Sequence, residues 1–253
     1  MFINAAGPYA KQINSLVFKN NEKTILPLVN EIHGKVIFRD NQNIIPPNSP
    51  MMICADSTKM FWSTEELEYF NSSDESVPKS WFENLPSGLH FRPYANSALL
   101  MLWEFVHLDT RVEEPPPEEI KFSPDYTEMI IRGTTTIVPQ FQEYIGKRGQ
   151  VDGGYYCKTK NNIPIIDQID LSISDFKLLQ NQTDNQKANK KGNYFVIGGL
   201  SGFGMMASCA AGELISKKIH KEPLPNYSKI FELGTILEDI SSAEYVPNKE
   251  VQL

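Results

Sequence analysis

Cysteine is scarce in this sequence: Cys54, Cys157 and Cys209 are the only three in 253 residues, far apart and without a C-x-x-C pair. That count suits a reducing compartment better than a disulfide framework, so an intracellular setting, cytoplasmic or mitochondrial, is expected. Histidine is nearly as sparse, and His33, His90, His107 and His220 show no metal-ligand spacing, so no metal site is expected. A basic face is missing too. The net charge is −7, and the small clusters Lys190-Lys191 and Lys217-Lys218 read as a solvated loop and a helix C-terminus. Binding nucleic acid requires neutralising its phosphates, so no nucleic-acid partner is expected. No apolar run reaches the roughly 20 residues needed to span a bilayer, and the amino end has no basic stretch followed by an apolar one. Neither a membrane span nor a cleaved export signal is expected. The N-x-S/T triplets at Asn71, Asn181 and Asn226 therefore carry no reading of their own.

What is present is ordinary globular material. Apolar residues make up 41 % and charged residues 22 %, enough over this length for one large core or two interleaved ones. Phe2-Ile3-Asn4-Ala5-Ala6-Gly7-Pro8 is a short strand-like run leading into small residues and a turn. A strand needs neighbours for its backbone groups, and this opening strand is expected to have had sheet partners upstream. Ile25 to Phe38 reads as two short strands separated near Gly34, and Met51 to Ala55 as another. Ser63-Thr64-Glu65-Glu66 marks a helix start, with a hydroxyl at the cap and acids in the first turn. Pro86 to Pro93 and Leu99 to His107 are further strand candidates. Glu113 to Glu119 is acidic and proline-rich, and reads as an exposed connector. Ser123-Pro124-Asp125 opens a helix to about Val138, weakened by Gly133 and three threonines. Val151 to Thr159 and Ile163 to Ile166 read as strands joined at Lys160-Asn161-Asn162. Residues 180–193 are polar and of low complexity, a mobile surface loop by composition.

The strand Tyr194-Phe195-Val196-Ile197 then runs into Gly198-Gly199-Leu200-Ser201-Gly202-Phe203-Gly204, followed by a helix from Met205 to Ile219. A strand, a glycine-rich turn and a helix start together present free N–H groups and a positive dipole end. Such a place can stabilise an anionic oxygen or a negatively polarised ring. On spacing alone, a plain tight connection is an equal reading. A serine nucleophile elbow fails, because the fifth position counted from Gly199 is Phe203. A dinucleotide phosphate loop is met only in the loose form Gly202-x-Gly204-x-x-Ala207, with no room after it for a βαβ unit.

Four segments in order resemble the FAD-dependent oxidoreductases of the D-amino-acid oxidase, glycine oxidase and sarcosine oxidase superfamily. Ile3-Asn4-Ala5-Ala6-Gly7 resembles the strand and turn that those proteins place beside the dinucleotide. His90-Phe91-Arg92-Pro93 is similar to their aromatic-Arg-Pro strand. Gly154-Tyr155-Tyr156-Cys157-Lys158-Thr159, with Ile163-Pro164-Ile165-Ile166 after it, resembles their strand, turn and "P-I-I-G" continuation. Gly199-Leu200-Ser201-Gly202-Phe203-Gly204 is similar to the turn that approaches the flavin's pyrimidine edge.

The resemblance implies an α+β protein, the carboxy-terminal part of an FAD-binding dinucleotide fold interleaved with an antiparallel-sheet substrate domain. The amino-terminal Rossmann βαβ unit of the family has no counterpart in the sequence. Residues 1–10 and 151–220 would form the FAD-binding domain, 11–150 the substrate domain and 221–253 a C-terminal tail. Ala6, Gly7, Gly199, Ser201, Gly202, Phe203 and Gly204 would bind the cofactor, and Arg92 and Tyr156 the substrate. Some relatives attach flavin to a cysteine five residues before the threonine matching Thr159; Gly154 stands there, so non-covalent FAD is implied. The acid of relatives is replaced by Asn161 and Asn162, and a basic residue after their glycine turn matches Met206. The reaction implied is hydride transfer from the C–H beside an amine nitrogen of a small amine or amino-acid-like substrate, for which no catalytic side chain is named. A separately encoded amino-terminal half or a second copy is the expected protein partner. The alternative is a non-catalytic remnant acting as a binding module.

Overall fold

A computed structural model describes residues 1–18, 25–72, 79–95, 97–103, 111–112, 120–172 and 191–241. The acidic connector, the end of the Leu99 to His107 run, and most of the low-complexity loop lie outside these residues. The chain divides into two compact units. The first comprises Met1–Ile32, Arg111–Glu118 and Tyr155–Asn248, the second His33–Thr110, Glu119–Gly154 and Lys249–Leu253.

The first unit is built on a three-stranded sheet in the order β1 (Phe2–Asn4), β9 (Lys191–Gly198), β8 (Ile165–Ser172). β1 runs parallel to β9, with Ile3 opposite Phe195, and β8 runs antiparallel to it, with Asp167 opposite Val196. Alternation along β9 supplies both faces of the sheet with apolar side chains. Tyr194 and Val196 join a core with Ala10, Phe18, Leu28, Leu233 and Ile236. Phe195 joins the opposite one, with Ile166, Ala211, Leu214 and Ile215. The helices over the sheet are thus α1 (Ala10–Val17) and α5 (Leu233–Ser241) on one side and α4 (Gly204–His220) on the other. Part of the stretch read as a C-terminal tail is therefore helical. Asp167 ties this arrangement together, accepting from Lys218 Nζ at 2.9 Å and from the Leu233 N–H at the start of α5 at 3.0 Å.

The second unit carries antiparallel pairs β3 (Met52–Ile53) with β4 (His90–Tyr94), β4 with β5 (Ala98–Leu102), and β5 with the end of β2 (Leu28–Arg39). The expected break near Gly34 does not occur, and β2 is one strand. Gly34 serves packing instead: a Cβ there would stand 2.7 Å from the ring of Tyr126. The expected helices are present as α2 (Thr64–Ser72) and α3 (Tyr126–Ile137). α2 starts in a capping box, with Ser63 Oγ accepting from the Glu66 N–H and the Ser63 N–H donating to Glu66 Oε2. The threonines of α3 are accommodated because Thr134 and Thr135 donate back to the carbonyls of Ile130 and Ile131. Arg132 projects from α3 onto Glu66 and Glu128, both at 2.7 Å, with its guanidinium 4.0 Å from the Trp62 ring centroid.

Two expectations follow for the second unit. Gly133 lies against Trp103, where a Cβ would come within 2.2 Å of the indole. The indole is fully buried and its Nε1 donates to the Pro86 carbonyl at 2.9 Å, so it has nowhere to move. Gly133→Ala gains about 1 kcal/mol of helix propensity and loses about 1–3 to overpacking. Urea denaturation should show net destabilisation at unchanged m-value. Tyr144 donates to Asp40 Oδ1 at 2.5 Å, and its pKa is pushed up to about 12, by burial first and then by that bond. Folding therefore favours the neutral phenol. Its contribution is complete below about pH 10 and is lost as pH rises from there to about 12. The stability gap between wild type and Tyr144→Phe should shrink across that interval in denaturant titrations.

Candidate functional site

β1 and β9 are parallel neighbours, so the turns that follow them emerge at the same end of the sheet. After β1, Asn4 Oδ1 accepts the Ala6 N–H at 3.1 Å and bends the chain. Gly7, at φ +55°, then turns it into a 3-10 segment leading to α1. After β9, Gly199 at φ +72° and Ser201 at φ +51° turn the chain into a second 3-10 segment, Ser201–Phe203, and so into α4. No side chain caps the start of α4, which the chain enters directly from that 3-10 segment. The third wall is β7 (Gln150–Thr159), through Tyr155 and Cys157.

Cys157 links the two turns. Its Sγ donates to the Gly7 carbonyl at 3.4 Å and takes a hydrogen bond from the Gly199 N–H. Burial pushes the thiol's pKa up, against the smaller lowering effects of the Gly199 N–H and the Lys11 charge. The sulfur is therefore a neutral strut, not a nucleophile. One residue on, Lys158 bridges in antiparallel fashion to Leu200, which holds the glycine turn against β7.

These walls enclose a cavity of about 350 Å³ lined by Ala5, Gly7, Pro8, Tyr155, Cys157, Ile197, Gly198, Gly199, Leu200, Ser201, Gly204, Ser208 and Ala211. No charged side chain is among them. The volume lies at the low end of the roughly 300–1,000 Å³ of small-molecule sites, room for one planar ring system and not for a whole dinucleotide. A Cβ at Gly7 would meet nothing within 4 Å, so that face of the turn is open.

Of the residues expected to bind cofactor, Gly7, Gly199, Ser201 and Gly204 line the cavity, while Ala6, Gly202 and Phe203 adjoin those residues in the turns. At Gly202 the room left by the missing Cβ is taken by the ring of Tyr156, whose Cε2 would be 2.7 Å from it. Tyr156 is thus packed under the glycine turn and is not a cavity-lining residue. Arg92 belongs to the second unit, exposed on β4. Its Nη1 donates to the Pro93 carbonyl at 3.1 Å, its guanidinium stands 5.7 Å from the Tyr94 ring, and it has no carboxylate partner among the described residues. The sequence reading passed over Tyr155 as a lining residue. Strand alternation sets Tyr155 and Cys157 on one face and Tyr156 and Lys158 on the other, without showing which face meets the turns. Among the described residues no cluster of His, Cys, Asp and Glu could hold a metal ion, and no helix is long and apolar enough to cross a membrane.

No known family profile and no curated protein matches the sequence. Solved structures do. Glycine oxidase from Geobacillus kaustophilus superposes with a TM-score of 0.50 at 12 % identity, over 91 % of this chain and 44 % of that one. L-proline dehydrogenase from P. horikoshii gives 0.49 at 14 % identity, over 94 % and 46 %. A modified fructosyl peptide oxidase from Aspergillus nidulans gives 0.47 at 9 %, over 98 % and 48 %. The chain spans less than half the length of each. The likeness to glycine oxidase is one of fold, and it agrees with the mixed α+β architecture that the order of motifs implied.

Beneath the glycine turn lies a buried ion pair between Lys158 on β7 and Glu31 on β2, with side chains 6 % and 12 % exposed. Losing one partner strands the other charge, at a cost of about 3–5 kcal/mol, whereas replacing both removes the desolvation penalty as well. Lys158→Met and Glu31→Leu should each lower the unfolding free energy strongly, and the double variant should recover most of the loss. Chemical denaturation of the four proteins checks this.

Proposed function

We propose that this chain is the flavin-facing portion of an FAD-dependent oxidoreductase, acting on a C–N bond of an amine or amino-acid-like substrate. The observation that carries the proposal is the uncharged cavity framed by two glycine turns and the open start of α4. Its size and neutrality fit a flavin ring. Gly199, Ser201 and Gly204 would hold the ring's polar edge, with the N–H groups of the first turn of α4 placed to stabilise negative charge there. FAD, when bound, supplies the hydride acceptor, and the chemistry demands no side-chain base. Gly7, with open space beside its Cα, allows backbone to approach the ring closely. Arg92 is proposed to pair with a substrate carboxylate, since a planar guanidinium without a carboxylate partner among the described residues suits bidentate capture. Tyr156 is proposed as the second substrate-binding residue, its ring fixed by Gly202.

A second reading has its own support. Met205 and Met206, at the start of α4, are 90 % and 75 % exposed, and among the described residues β1 is a sheet edge with Ile3 42 % exposed. An open edge and an uncovered apolar turn favour association with another polypeptide. The chain would then be a binding module that pairs with a dinucleotide-binding half or a second copy.

Titrating FAD into the purified chain while following flavin fluorescence separates these readings. The cavity has room for the ring alone, so binding is expected to be stoichiometric but weaker than about 1 μM. No binding at any concentration would remove the flavin reading and leave the module. Submicromolar binding would show that the chain holds the whole dinucleotide unaided.

A further inference from the structure

We infer that the Tyr155 hydroxyl is the hydrogen-bond donor that this cavity keeps for its ligand, meeting an uncharged acceptor on the bound ring. The inference rests on the flavin reading of the cavity and adds to it the residue that fixes the ring's orientation. Tyr155 lines the cavity, its hydroxyl is shielded from solvent, and that hydroxyl has no hydrogen-bond partner among the described residues. In this it differs from Tyr194 and Tyr144, whose hydroxyls are paired. Tyr194 donates to Asn14 Oδ1 at 2.6 Å, and Tyr144 donates to Asp40 while accepting the Gln42 N–H. A shielded hydroxyl left unpaired is unfavourable, and buried polar groups in folded proteins are paired as a rule. An exception that faces a cavity is accounted for if the partner arrives with the ligand.

The rest of the lining narrows the chemistry. Ser208 is already engaged, its Oγ donating to the Met205 carbonyl at 2.9 Å, and Cys157 is held between the two turns. Burial and the neighbouring Tyr9 raise the pKa of Tyr155, so it is a neutral phenol at physiological pH and offers a proton to share. With no cation in the lining, the matching group is a carbonyl oxygen or an unprotonated ring nitrogen and not a carboxylate or phosphate.

Tyr155→Phe removes the hydroxyl and keeps the ring. Two measurements on the full chain decide the matter: the melting temperature without ligand, and FAD affinity by fluorescence titration. The expected result is an unchanged or raised melting temperature, because an unpaired buried hydroxyl has been deleted, together with about tenfold weaker FAD binding. A lowered melting temperature, or failure to fold, would mean that the hydroxyl has a structural partner and would overturn the inference. Equal FAD affinity in wild type and variant would also overturn it while leaving the flavin reading intact. If wild type binds no FAD, the flavin reading falls and this inference falls with it.

Discussion

The parallel pairing of β1 with β9 is the constraint on which the site depends. Phe2, Ile3 and Asn4 lie opposite Tyr194, Phe195 and Val196, and this register alone brings the turn at Gly7 level with the turn at Gly199. Three residues of strand are little to hold such a pairing, and side chains reinforce it. Asn4 Nδ2 donates to the Ala10 carbonyl and to Asn14 Oδ1, and the same Asn14 oxygen accepts from Tyr194. One buried polar cluster therefore locks β1, α1 and β9 together. Phe2 and Phe18 close over it, with ring centroids 5.7 Å and 4.7 Å from that of Tyr194. Polar groups buried this way specify one register, because any slip would leave amides and a phenol unpaired.

Once the two turns are level, the cavity wall is completed by β7 with few degrees of freedom. Cys157 reaches the Gly7 carbonyl on one side and the Gly199 N–H on the other, and Lys158 bridges to Leu200. A larger or charged side chain at Cys157 could not span both turns. The cysteine is explained by geometry and weak hydrogen bonding, with no redox role required.

Much of the fold was legible in the sequence because it follows from local rules. The β8 and β9 strands, the glycine turn and the following helix each had a periodic or turn signature, and Ser63 with Glu66 spelled out the capping box that α2 uses. What misled was glycine. Gly34 looked like a strand break, yet its backbone is ordinary and its lack of a Cβ admits Tyr126. Gly133 looked like a weak point in α3, yet it admits Trp103. Both partners are distant in sequence, so local propensity could not distinguish packing from breaking. The site was legible to a similar degree. Gly7, Gly199, Ser201 and Gly204 stood out through the family resemblance, whereas the lining role of Tyr155 depended on which face of β7 meets the turns. Alternation defines two faces without saying which is which; the Cys157 link to Gly7 settles it.

The character of the cavity also limits what kind of catalyst it can serve. Among the described residues its titratable lining groups are Tyr155 and Cys157, and burial raises the pKa of both. Neither changes charge near neutral pH, so the cavity presents a constant, uncharged surface with one helix start at its rim. It can orient a ring and favour negative charge on it through backbone N–H groups, whose strength does not vary with pH. The proposed reaction, in which a cofactor takes up hydride and the protein mainly positions and polarises, asks no more than such a surface offers.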